Sequence, residues 1–359
     1  MNVFFVATLG GLQFAHMVVK QENLSNNHLV ILGEGTQGGL AEKIVSQADK
    51  GCFNVVSQIE LPNDTWQFKR ATCHAIYNQF DKLITNLKPQ TIFINSYNWY
   101  YNYIYNLATE KNAKICLFEE GLSTYRLLVG KYAASEVTLV ERWAAFRKKR
   151  TPKTFAGIFL SYELRQKLKF LAYPRHLQSI FEHVLSFDTV YSVFPEKLKT
   201  VFFANRYVKL QFMLPNTPSL ADLQMDTDVV LYLDQGFELT PDKHVQIVKN
   251  YFADRAERVL VKLHPKATQE LRQMFLTHRF KILPIDVPAE TVLSSYGLTT
   301  LVGITSSTLI YAIEINPTLR LESMALYYEQ QAEEIGQAQV HNIRFHRKHL
   351  ELFSFVDMN

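Results

Sequence analysis

The sequence predicts an α/β protein built as two Rossmann-like domains, each a parallel sheet covered by helices. Three observations carry the prediction. Short apolar runs alternate with stretches of helical spacing through the first half, the same alternation restarts after a turn-rich break, and 47% of the 359 residues are hydrophobic, enough for two cores of ordinary size.

In the first half, residues 3–8, 28–32, 54–59, 91–94 and 114–118 read as strands, several of them continuous apolar runs as expected where both faces of a sheet are covered. Between them, 12–22, 38–50 and 67–87 carry helical spacing, the last with Ala71, Ile76, Phe80, Leu83 and Leu87 on one face. The break is Leu214-Pro215-Asn216-Thr217-Pro218-Ser219. After it come strands at 229–233, 258–263, 280–282 and 300–303, with helices at 242–253, 268–276 and 289–294. The expected organisation is a first Rossmann-like domain over 1–165, a helical connecting segment over 166–219, a second Rossmann-like domain over 220–320 and a helical tail over 321–359. Two such halves make the GT-B architecture, in which the parallel sheets face each other across a cleft.

Cys52, Cys73 and Cys116 are odd in number, widely separated and outside any metal-ligand spacing, which reads as reduced, buried thiols in a cytoplasmic protein. The opening MNVFFVATLGG has no positive segment ahead of its short apolar run, so it reads as a first strand and not a signal peptide. No apolar stretch approaches the ~20 residues of a membrane span. The formal charge of +4 argues against a dedicated nucleic-acid binder. Its distribution is uneven: between 142 and 175 ten Arg and Lys residues stand against the single acid Glu163, a net of +9, with Trp143, Phe146 and further aromatics interleaved. Such a stretch suits anionic lipid headgroups, an anionic glycan or nucleic acid, and equally a solvated connector. The expected location is cytoplasmic, peripheral on an anionic inner membrane.

Three short motifs follow apolar strands. The run 114–118 ends in Glu119-Glu120-Gly121, two acids and a turn residue at the carboxyl end of a strand, where ligands of open α/β sheets bind. The run 258–263, which includes Lys262, ends in His264-Pro265; proline keeps the histidine extended at the strand end, where His264 and Lys262 suit a phosphate. The run 300–303 is followed by Thr305-Ser306-Ser307-Thr308 and an apolar helical stretch, so hydroxyls and helix-start N–H groups offer an anion site. Each motif alone has a plainer reading, as solvated acids, a strand terminator and a helix cap.

Their order, acid-acid-Gly, His-Pro, then a Ser/Thr pair, resembles the bacterial sialyltransferases, including polysialyltransferases and lipooligosaccharide sialyltransferases, which share a GT-B fold. The resemblance implies an inverting transfer of sialic acid or a related nonulosonic acid from a CMP donor to a surface glycan or glycolipid, in a capsule or a lipooligosaccharide. It implies Glu119 as general base, His264 as the group aiding departure of CMP, and Ser306 and Ser307 as phosphate ligands. Lys262, Pro265 and Thr305 complete the implied donor side, with Glu290 on the ribose; Glu120 and Gly121 fall on the acceptor side. The CMP-sugar is a substrate, and no cofactor, metal or nucleic acid is expected.

The chemistry supports the same roles. CMP leaves as a phosphate monoester anion, which positive charge, a histidine and helix-start N–H groups stabilise, while a carboxylate of modestly raised pKa can take the acceptor proton. Asp226-Thr227-Asp228 has the spacing of a metal pair but precedes its strand and reads as a turn. Gln13, after Gly10-Gly11-Leu12, is placed to bond an acceptor sugar, and the run Tyr97 to Tyr103 offers stacking surfaces. The rival readings are a GT-B transferase using CMP-Kdo or a UDP-sugar, and a non-catalytic glycan-assembly protein.

Overall fold

The structure is a computed structural model that describes residues 1–34, 39–61, 69–129, 168, 171–212, 228–235, 239–264, 267–284, 287–295, 297–331 and 337–353. The chain divides into two compact units, Met1–Gln211 and Phe212–Asn359. Of the features read from the sequence, nearly all of the basic segment 142–175, the break 214–219, Pro265, Asp226 and Thr227 lie outside the described residues.

The first unit runs β1 (Asn2–Val6), α1 (Leu9–Gln21), β2 (Asn27–Glu34), α2 (Leu40–Gln47), β3 (Val55–Leu61), α3 (Arg70–Leu87), β4 (Thr91–Ile94), α4 (Tyr100–Glu110) and β5 (Lys114–Phe118). A 3-10 turn (Leu122–Leu128), α5 (Arg175–Gln178), β6 (Ser186–Ser192), α6 (Pro195–Leu198) and β7 (Phe203–Lys209) complete it. Its seven strands pair in the order β3-β2-β1-β4-β5-β6-β7, all parallel. Val3, Phe4, Phe5 and Val6 are wholly buried, as the apolar run of a doubly covered strand requires, and Phe4 stacks on Phe93 of β4 with ring centroids 4.1 Å apart.

The second unit runs β8 (Val229–Leu233), α7 (Pro241–Phe252), β9 (Val259–Lys262), α8 (Gln269–Thr277), β10 (Lys281–Ile282), a 3-10 turn (Ala289–Val292), β11 (Leu298–Gly303), α9 (Ser307–Ile315), β12 (Arg320–Ser323), α10 (Ala325–Gln330) and α11 (Gln337–Glu351). Its five parallel strands are ordered β10-β9-β8-β11-β12. Every residue of β8, the central strand, is buried. Both units are thus the parallel-sheet α/β domains that the alternation predicts. In each, the strand order reverses beside the first strand, between β1 and β4 and between β8 and β11, which opens a crevice at the carboxyl ends of those strands.

Four expectations are corrected. Segment 166–219 is not a helical connector: it supplies β6 and β7 to the first sheet, and the boundary between units falls after Gln211. These strands (SFDTVYS and FANRYVK) lie toward one edge of the sheet, where polar residues are tolerated, so they lack the apolar run that marked the others. The buried face of α3 is Cys73, Ile76, Phe80 and Ile84, while Ala71 is exposed and Leu83 and Leu87 are half-buried. The stretch 289–294 makes only a 3-10 turn, and the tail expected to be wholly helical begins inside β12. The three cysteines are buried, and none forms a disulfide.

Candidate active site

In the first unit, residues after β1, β4 and β5 converge. Thr8 ends the loop after β1 and caps α1: its Oγ1 accepts the Gly11 N–H at 3.0 Å and donates to Glu120 Oε1 at 3.3 Å. Gly11 has no room for a side chain, since a Cβ there would sit 2.3 Å from Asn95 Nδ2. Asn95 follows β4, is 1% exposed, and neither its Oδ1 nor its Nδ2 has a hydrogen-bond partner among the described residues.

The adjacent acids Glu119 and Glu120 occupy opposite environments. Glu119 is fully buried, and its Oε2 accepts from Tyr125 Oη at 2.8 Å, Ser192 Oγ at 2.9 Å and the Val193 N–H at 2.7 Å. It ties the turn after β5 to the turn after β6, a place missed while 166–219 is read as a helical connector. Glu120 is half-buried, and Ser123 Oγ donates to its Oε2 at 3.2 Å. Burial pushes the Glu120 carboxyl up to about 7, against the lowering pull of the Ser123 and Thr8 hydroxyls. Glu120 is thus raised toward neutrality, whereas Glu119 has one oxygen saturated by scaffold donors. Gly121 adopts φ 125, ψ −153, a conformation that a side chain opposes, which accounts for the glycine after the acids.

Gln13 lies half-buried on α1 and makes no hydrogen bond to the described residues. In the aromatic run, Tyr97, Tyr100, Tyr101 and Tyr103 are buried, and Tyr97 Oη donates to the Ser123 carbonyl at 3.2 Å, so these rings are core. Asn98 and Trp99 remain half-buried, with Trp99 at φ 59, ψ −133.

In the second unit, the expected donor residues gather at the ends of β9 and β11. His264 is half-buried, and its backbone N–H donates to Asp234 Oδ2 at 3.1 Å. Lys262 Nζ donates to the Pro284 carbonyl at 3.2 Å. Ser306 caps α9 by accepting the Thr308 N–H at 3.3 Å, and Ser306 and Ser307 are both half-buried. Glu290 Oε1 accepts from Thr308 Oγ1 at 2.7 Å, which brings that carboxylate to the first turn of α9. Thr305 is 5% exposed, with its N–H and hydroxyl both bonded to the Gln235 side chain. Asp228 belongs to the turn before β8, at φ 59 and 2.6 Å from Arg258.

Sequence reasoning passed over Thr8, Asn95, Asp234 and Gln235. A signal for the last two was present: Asp234-Gln235-Gly236 follows the apolar run of β8 just as Glu119-Glu120-Gly121 follows that of β5. Among the described residues there is no group of three His, Cys, Asp or Glu placed to hold a metal ion, and no helix is long and apolar enough to cross a membrane.

A family model described as Alpha-2,8-polysialyltransferase (POLYST) matches residues 2–324. No curated protein sequence matches. Among solved structures, the chain resembles Phytolacca americana UGT2, complexed with UDP-2fluoro-glucose and pterostilbene, with a TM-score of 0.53 and 11% identity over 98% of this chain and 94% of that one. It also resembles Medicago truncatula UGT71G1, complexed with UDP-glucose, with a TM-score of 0.51 and 9% identity over 98% of this chain and 93% of the other. At such identities the likeness is one of fold, and the fold is GT-B.

Proposed function

The chain belongs to the alpha-2,8-polysialyltransferase family, and on that premise we propose that it transfers sialic acid or a related nonulosonic acid, with inversion, from a CMP-activated donor to a bacterial surface glycan. The observation that carries the chemistry is the half-buried Glu120 carboxyl, held between the Thr8 and Ser123 hydroxyls and pushed up to about 7 by burial. Ionised, Glu120 takes the proton of the acceptor hydroxyl as that oxygen attacks the anomeric carbon. The base role that the motif resemblance gave to Glu119 passes to its neighbour, and Glu119 holds the turn that presents it.

On the donor side, His264 donates to the phosphate as the glycosidic bond breaks, Ser306, Ser307 and the positive end of the α9 dipole receive the phosphate oxygens, and Lys262 adds positive charge. Glu290, with Oε1 taken by Thr308, offers its other oxygen to a ribose hydroxyl. Charge neutralisation by protein groups makes added metal unnecessary in this scheme. The acceptor is a capsule or lipooligosaccharide glycan, reached from an anionic membrane surface through the basic segment 142–175.

The test is an assay of the whole chain with CMP-nonulosonates, CMP-Kdo and UDP-glucose, with and without glycan acceptors and in excess EDTA. Acceptor-dependent CMP release from a CMP-nonulosonate, undiminished by the chelator, is expected. Turnover of UDP-glucose alone, or a strict need for divalent metal, overturns the reading.

A further inference from the structure

Asp234 and Gln235 are consecutive residues at the carboxyl end of β8, the strand flanked in the sheet by β9 on one side and β11 on the other. Each reaches one neighbour. Asp234 Oδ2 accepts the backbone N–H of His264, after β9, at 3.1 Å. Gln235 Oε1 accepts the backbone N–H of Thr305, after β11, and Gln235 Nε2 lies 3.2 Å from Thr305 Oγ1. Behind them, Asp234 Oδ1 lies 2.6 Å from Nε2 of His244 on α7, and His244 Nδ1 lies 3.2 Å from the hydroxyl of Tyr328 on α10.

We propose that Asp234 and Gln235 are the positioning residues of the donor site, setting the spacing between the His264 loop and the start of α9, with His244 holding the Asp234 carboxylate in place. The proposal rests on the reading that the donor's phosphate binds there. Asp234 is 6% exposed and His244 4%. A carboxylate so buried is costly to keep, and an apolar core residue generally serves stability as well or better. What an apolar residue cannot do is accept the N–H of the loop that carries His264.

Gln235 acts likewise on the other side of the crevice. By engaging both the N–H and the hydroxyl of Thr305, it fixes the residue before the cap and with it the start of α9, which Ser306 closes. A phosphate that touches both His264 and the first turn of α9 needs the two at one separation, and small misplacements are felt strongly in binding and rate. Both acceptors that set the separation come from one strand end.

The experiment measures CMP binding to the full chain by calorimetry for the wild type, Asp234→Leu, Gln235→Ala, His244→Ala and His244→Gln, with the thermal midpoint of each. The wild type is expected to bind CMP. Gln235→Ala and Asp234→Leu, which cannot accept the N–H of Thr305 or of His264, weaken binding about tenfold or more, as loss of an orienting hydrogen bond does. His244→Ala behaves like Asp234→Leu, and His244→Gln, whose amide can still donate to Asp234 Oδ1, recovers most of the affinity. Gln235 is half-buried, so Gln235→Ala keeps the test alive if the variants of the buried pair fail to fold. Folded variants that bind CMP within about twofold of the wild type, whatever their midpoints, overturn the positioning role alone. A wild type that binds no CMP overturns the donor reading, and this inference with it.

Discussion

The Thr8 hydroxyl donates to Glu120 Oε1 at 3.3 Å, joining two residues 112 positions apart in the chain. The same oxygen accepts the Gly11 N–H and so caps α1. One side chain therefore fixes both the start of the first helix and the acid proposed as base. Glu119, one residue away, answers to a different set of partners in Tyr125, Ser192 and Val193. This division separates the two acids by experiment.

Glu120→Gln is expected to lower turnover by about 10²–10⁴ while leaving CMP affinity and the fold intact. Glu119→Gln puts an amide among three donors and is expected to cost about 1–3 kcal/mol of stability, read as a fall in thermal midpoint. Loss of activity confined to a well-folded Glu119→Gln, with Glu120→Gln active, reverses the assignment.

The pH dependence follows from the raised Glu120 pKa. The base acts when ionised, so the rate with saturating donor climbs as pH rises through about 7. The Ser123 hydroxyl holds that pKa down, so Ser123→Ala moves the rising limb to higher pH. Stability runs the other way. Glu120 binds its proton more tightly when folded than at its ordinary 4.5, so its contribution is full below 4.5 and is lost as pH rises to about 7. Glu120→Gln abolishes that loss, and its thermal midpoint should gain on the wild type from pH 5 to pH 8. A gap that stays constant over this range contradicts the environment described for Glu120.

Gly11→Ala drives a Cβ to 2.3 Å from Asn95 Nδ2, and the buried Asn95 has little room to retreat. A destabilisation of about 1–3 kcal/mol is expected. Asn95→Ala removes the obstructing atoms and breaks no hydrogen bond to the described residues, since its amide makes none to them. The double variant should therefore recover much of the stability lost by Gly11→Ala, and strict additivity in denaturant melts would show that the two do not meet.

Replacing Arg147, Lys148, Lys149 and Arg150 with glutamine removes four charges from the basic segment. Each is worth about 1 kcal/mol near an anionic leaflet, so cosedimentation with anionic vesicles should fall sharply while activity on a small soluble acceptor persists. Equal loss of both assigns the segment to folding or to the active site.

The sequence by itself determined the two parallel-sheet domains, because β1, β4, β5, β8 and β9, and residues 29–32 of β2 and 301–303 of β11, are largely buried and covered on both faces and are therefore written as apolar runs. It also marked the strand ends that carry Glu119-Glu120-Gly121, His264 and Thr305 to Ser307, since turns and caps are local chemistry. It left β6 and β7 unread, for strands near the edge of a sheet can be half polar and carry no such run. Only the tertiary structure decided which of two neighbouring acids is tied into the scaffold and which is raised toward neutrality: Ser192 and Val193, which donate to Glu119, lie 73 and 74 residues away, and the burial that raises Glu120 comes from packing, against the lowering pull of Thr8 from 112 residues away. The same holds for Asp234 and Gln235, whose bonds to His264 and Thr305 cross 30 and 70 residues. Desolvation and hydrogen bonding act through space, and in a parallel sheet the residues that meet at the strand ends are always separated in the chain by at least one crossover.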